Sequence, residues 1–233
     1  MELEASRENR TGMIWNPQRI PIPRFSDVFW YESLQNDISP RFKYNPNNAR
    51  IFFELEKVEN TPLAIVRFSE LCENLDDYGY WFCLGTLWVM YTGWSELPLW
   101  KRLFRSSRPF RRECLMKPTE LEYFKRLSPS VACFRAHRPE ESEWISYTLD
   151  AVCAGTIARR RGVSEISEYR IRRSDIVALF LRRGEYEILC LDKRKARFVG
   201  RIPVITQKDG SRQSNMSVVE NHESKKVCLS DMS

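Results

Sequence analysis

Metal ligands and membrane-spanning signals are scarce in this chain. Its 233 residues contain two histidines, His137 and His222, and seven cysteines with no Cys-x-x-Cys pair among them. Zinc centres draw on Cys and His at short spacings, so a metal site is not expected. No run of about 18 uncharged apolar residues occurs, which excludes the usual signal for a transmembrane helix. The longest apolar stretch, Tyr80 to Tyr91, has the length of a buried helix. Met1-Glu2-Leu3-Glu4 opens on mixed charge and lacks the basic start and apolar core of a secretory signal. No internal repeat is visible. These absences predict a protein that touches no membrane and acts in the cytoplasm where it is made. Cys72, Cys83, Cys114, Cys133, Cys153, Cys190 and Cys228 lie mostly among apolar neighbours, as reduced, packed thiols do.

What is present can build a core. Hydrophobic residues make up 42% and aromatics 12% of the chain, enough for one ordinary domain with an appendage or for two small ones. The net charge of +6 is concentrated. Lys101, Arg102, Arg105, Arg108, Arg111 and Arg112 form one cluster; Arg159 to Arg161 with Arg170, Arg172, Arg173, Arg182 and Arg183 form another. Such patches attract phosphates, or else they are simply a solvated basic surface.

The sequence divides into four stretches. Residues 1–48 carry Pro17, Pro21, Pro23, Pro40 and Pro46 and read as an extended arm that packs on the body through Trp30 and Tyr31. Residues 49–128 read as mainly helical. Thr61-Pro62 is a cap followed by Pro at the first helical position, opening a helix to about Asn74. Trp81, Leu84 and Trp88 share one helical face as a core stripe, and Trp94, Trp100, Leu103 and Phe104 continue it. Thr119 and Glu122 form a capping box. Residues 129–205 turn to short strands, with one helix capped by Asp150, burying Val152, Ile157 and Ala158 and stopped by Gly162. Asp175 to Phe180 reads as a short helix or turn. Residues 206–233 are polar and expected to be disordered.

Three polar pieces within residues 129–205 sit at strand ends: Arg135 after Val131–Phe134, Ser146-Tyr147-Thr148 after Trp144-Ile145, and Glu185-Tyr186-Glu187 before Ile188–Leu191. In this order they resemble the Arg, Ser-x-Thr and Glu-x-Glu motifs of the R-S-E class of ADP-ribosyltransferases, including small phage and prophage members. Two departures stand out: Ala136 follows the arginine where many relatives carry Gly, and bulky Tyr147 fills the middle of the triplet, pointing to the opposite face of its strand.

The resemblance implies an α+β fold, a helical N-terminal portion followed by a compact split β-sandwich of about six strands with NAD between its two sheets. It implies transfer of ADP-ribose from NAD to a macromolecular acceptor, either an arginine side chain of a protein or a nucleic acid, in a setting such as phage-host conflict. Glu187 would support the ribose cation and Glu185 would deprotonate the acceptor. Arg135 would grip the phosphates or the adjoining ribose, Ser146 would hold the ribose and order the carboxylate, Thr148 would steady the strand, and Phe180 would stack on nicotinamide.

Each assignment has a structural alternative. Glu185 and Glu187 could answer Arg182 and Arg183 as loose ion pairs. Arg135 could pair with Glu140, Glu141 or Glu143; Phe180 could be core; His137 reads as a satisfied histidine at a strand end. At the level of the whole chain, a noncatalytic basic module of the same fold, or an NAD glycohydrolase, stands beside the transferase.

Overall fold

A computed structural model describes residues 37–90 and 95–204. The expectations for residues 1–36, for Trp94, and for the tail with His222 and Cys228 lie outside the described residues. Residues 37–48 do not continue an arm: Asn45 caps a helix, its side chain accepting from the Asn47 and Asn48 amides, and Pro46 occupies the first helical position. Pro46 therefore starts an element where interruption was expected.

Among the described residues, six α-helices precede the sheet: α1 (Pro46–Glu56), α2 (Leu63–Leu71), α3 (Asp77–Met90), α4 (Leu97–Phe104), α5 (Arg111–Leu115) and α6 (Pro118–Arg126). Helix α3 is buried nearly all round, as its uninterrupted apolar sequence requires. A side chain on Gly85 would meet the Leu115 carbonyl oxygen at 2.9 Å, so glycine is what lets α3 and α5 approach. Two helix starts differ from their sequence signals. The Thr61 hydroxyl donates to the Val58 carbonyl instead of capping α2. The α6 cap lies two residues earlier than Thr119, with Glu120 accepting from the Lys117 amide while Thr119 binds Asp37.

Strands β1 (Ser130–Arg135), β2 (Ser146–Thr148), β3 (Glu165–Arg172), β4 (Ala178–Phe180), β5 (Glu187–Leu189) and β6 (Arg197–Pro203) form an antiparallel sheet in the order β4-β5-β2-β1-β3-β6. The fold is α+β. By backbone pairing it is one sheet where two were expected, but its halves, β4-β5-β2 and β1-β3-β6, join through the single register pair Phe134↔Thr148 in the described residues. Ala178–Phe180 is a strand, correcting the helix or turn expected there: all three residues are buried, and the periodicity of so short an apolar run does not distinguish the two.

One apolar core runs from Ile51 of α1 through Trp81 and Leu84 of α3 to Val131, Tyr147 and Ile188 of the sheet. The helical part and the strands therefore share a core and do not separate into domains at residue 128. Each fully buried Leu or Phe in it contributes roughly 1.5–3 kcal/mol. Helix α7 (Ala151–Arg161) packs separately on β1 and β3 through Ala136, Ala154, Ala158 and Ile166. Asp150 caps it and Gly162, at φ 68°, ends it. Val152, expected to be buried, is 74% exposed on its outer face.

The basic clusters are mostly structural ties. Arg108 donates to the Cys72 and Leu75 carbonyls, Arg111 to Phe104, Arg112 to Ser174 and Ile176, and Arg173 to Lys125 and Leu127. Lys101 pairs with Glu143, and Arg182 is buried against Glu120. An arginine fork suits several carbonyls at once, and here it joins segments distant in sequence. Burial pushes the thiols of Cys72, Cys83, Cys114, Cys133, Cys153 and Cys190 above their ordinary range. Among the described residues no helix is long and apolar enough to cross a membrane.

Candidate active site

A cleft of about 290 Å³ opens where the two halves of the sheet meet, lined by the end of β1, by β2, by the Glu185–Glu187 segment and by α7. Arg135, Ser146, Thr148, Glu185 and Glu187 all line it. Residues up to 52 positions apart in sequence are thus brought together by strand pairing, with Thr148 opposite both Phe134 of β1 and Glu187 of β5.

Glu187 is held at both carboxylate oxygens. The Ser146 hydroxyl donates to Oε1 at 2.5 Å, and the Trp88 indole N–H donates to Oε2 at 3.0 Å. Two donors on different elements fix the plane of the carboxylate as well as its position. Ion pairing of the two carboxylates with Arg182 does not occur, because Arg182 turns into the core. The side chain of Arg183 lies outside the described residues.

The Glu185–Glu187 segment is bent, not extended. Glu185 is in the right-handed region and Tyr186 has φ 47°, a left-handed conformation that costs a non-glycine residue about 1–2 kcal/mol. Three contacts impose it. Thr148 Oγ1 donates to the Glu185 carbonyl at 2.6 Å, the Leu149 amide donates to the Tyr186 carbonyl at 3.0 Å, and the Tyr186 ring packs near Tyr123. Thr148 therefore does more than steady its strand: it sets the bend from which both carboxylates reach one cleft.

Arg135 makes the ion pair weighed as the alternative to phosphate binding. Its Nε and one terminal nitrogen donate to Glu141 at 3.1 and 2.5 Å, and the other terminal nitrogen donates to the Ser146 carbonyl at 2.6 Å. Glu141 also meets His137 Nδ1 at 3.1 Å, while His137 Nε2 meets the Tyr169 hydroxyl at 2.7 Å. His137 is the satisfied histidine expected. Burial pushes the Glu141 carboxyl up, but hydrogen bonds from His137 and Arg135 and the charges of Arg135 and Arg161 outweigh it, bringing it down to about 2.

That shift makes a sign-definite prediction. A carboxyl held below its ordinary value of 4.5 contributes stability that is complete above that pH and is lost as pH falls toward 2. The difference in unfolding free energy between wild type and Glu141→Gln, followed by urea denaturation, should be constant above about pH 5 and shrink steadily between pH 4.5 and 2. A difference independent of pH across that window would show that the ion pair does not hold Glu141 ionised.

Phe180 does not reach the cleft. It is 1% exposed, lies near Gly85 of α3 and faces the Arg182 guanidinium at 4.9 Å, so it is core and not a stacking partner for a ligand. The cleft's aromatic lining comes from Trp88, Trp100, Phe134, Trp144 and Tyr147 instead. Helical spacing places Trp88 in a core stripe but reports only a shared face, not where an indole N–H ends up. Arg161, in sequence one member of a basic cluster, reaches back from the end of α7 to the Ala136 carbonyl and lines the cleft. Its pKa is lowered first by burial and then by the nearby charges of Arg135 and Arg138, against the opposing charges of Glu141 and Glu185.

No protein-family model, curated protein or solved structure matches this chain.

Proposed function

We propose that this protein is a mono-ADP-ribosyltransferase with an ADP-ribosyltransferase-like split sheet, using NAD as substrate. The observation that carries the reading is the doubly held Glu187 in a cleft shared with Ser146, Glu185 and Arg135. The single register pair joining the two halves of the sheet supports the split, because the cleft lies at that junction.

The bond broken joins nicotinamide to ribose. Nicotinamide leaves with the bonding electrons, the ribose becomes oxocarbenium-like, and an acceptor nucleophile forms the new bond to the same carbon. A fixed carboxylate stabilises that cation more than the neutral ribose, the differential binding that lowers a barrier. Glu187 fills this role, with Ser146 and Trp88 preventing it from turning away. Glu185, at the bend, takes the proton of the acceptor. Arg138 and Arg161, beside the Arg135–Glu141 pair, form the end of the cleft that suits the phosphates. The cleft is at the small end of the range for small-molecule sites, roughly 300–1,000 Å³, so the far nucleoside would lie toward its open side.

The test is incubation of purified protein with NAD labelled in its adenylate and a whole bacterial lysate, alongside Glu187→Ala. Wild-type-dependent label removed by protease or by nuclease names the acceptor class. Nicotinamide release without labelled macromolecule selects a glycohydrolase. Neither label nor release overturns the reading and leaves a binding module. Glu185→Ala should reduce transfer more than NAD hydrolysis, because water needs less help to lose its proton after attack on so reactive a cation than a held acceptor does; equal losses would remove Glu185 from the acceptor's side.

A further inference from the structure

Trp88 belongs to the helical part of the chain, 99 residues from Glu187, yet its indole N–H donates to Glu187 Oε2 at 3.0 Å. The ring is itself fixed, edge-on to Trp100 at 5.0 Å and to Phe104 at 5.7 Å, with Trp100 anchored through its own N–H to the Ser95 hydroxyl at 2.7 Å. An indole offers one donor and no acceptor, so it holds an oxygen acceptor in a single orientation. Ser146 holds Oε1, and a donor on the second oxygen fixes the plane of the carboxylate.

We infer that Trp88 is the positioning residue for Glu187, and that the helical N-terminal part completes the active site by aiming this carboxylate at the ribose. The inference rests on the transferase reading for its catalytic consequence, but the contact itself can be tested separately. α3 is thereby more than a support for the sheet, since its last turn supplies a group the strands do not.

Trp88→Phe keeps most of the ring and deletes the donor. Loss of one hydrogen bond to a charged group should lower kcat roughly 10- to 100-fold. KM for NAD should change by less than about 3-fold, since the donor fixes a group whose charge matters most in the transition state. A merely structural role would instead lower the active fraction or raise KM. Should the Phe variant fold poorly, a benzothienylalanine at position 88 replaces only N–H by sulfur and keeps the ring's shape.

The second readout needs no activity. In an amide and indole nitrogen–proton NMR spectrum, the indole resonance lost in Trp88→Phe should move clearly in Glu187→Gln and little in Glu185→Gln. Wild-type kcat in both Trp88 variants, or an indole signal indifferent to Glu187→Gln, would overturn the inference while leaving the transferase reading in place. If wild-type protein turned over no NAD, the transferase reading and the catalytic half of this inference would both fall, and the indole signal would then decide the contact alone.

Discussion

Glu187→Ala is expected to lower transfer and NAD hydrolysis by about 10²–10³-fold, the loss seen when one preorganised electrostatic group is removed from a transition state. The fold should survive. Glu187 begins a strand at the edge of a cleft, and its backbone pairing with Thr148 does not depend on the side chain. Ser146 and Trp88, which donate to it, line the same cleft, where water can replace the carboxylate. Far-ultraviolet circular dichroism and thermal unfolding of the variant should therefore resemble wild type while initial rates collapse. Wild-type rates would remove Glu187 from the chemistry. A collapse of both rate and fold would make it a structural residue.

The largest effect on stability is expected at Glu120. Its carboxylate is fully buried and accepts four hydrogen bonds: from Arg182 Nε at 3.0 Å and a terminal nitrogen at 3.1 Å, from the Leu181 amide at 3.0 Å and from the Lys117 amide at 2.9 Å. Arg182 is 3% exposed. Replacing Glu120 by Ala leaves a buried guanidinium without its counter-ion, which typically costs about 3–5 kcal/mol. It also leaves the buried Leu181 amide and the part-buried Lys117 amide without their partner.

Arg182 lies three residues before Glu185, so the same pair ties the carboxylate segment to the start of α6. Urea denaturation of Glu120→Ala should show a loss of at least about 3 kcal/mol, and Glu120→Met combined with Arg182→Leu should recover part of it, because removing both charges avoids the unpaired one. A loss under 1 kcal/mol for the single variant would mean that water reaches Arg182 and that the pair is no anchor.

The apolar run of α3, the strand Val131–Phe134 leading to Arg135, and the Asp150-to-Gly162 helix were legible because periodicity and end signals are local properties. The polar trio of Arg135, Ser146 and Glu187 was legible as motif letters in order. Less legible were the residues that complete them. Glu141 was one of three equivalent carboxylates near Arg135; only the path from β1 to β2 puts it, and not Glu140 or Glu143, against the guanidinium. Phe180 sat plausibly before the carboxylates, but the buried β4 turns it inward.

Sequence alone thus determined several of the helices and strands, where some of them end, and which polar groups stand at strand ends, since these follow from spacing and from the chemistry of single side chains. Tertiary structure decided what those groups touch. Antiparallel pairing set Thr148 against Glu187, a bend at Tyr186 aimed two carboxylates into one cleft, and the shared core brought the Trp88 N–H across 99 residues to the second oxygen of Glu187. A hydrogen bond depends on distances of a few tenths of an ångström between elements, and no one-dimensional pattern carries that information.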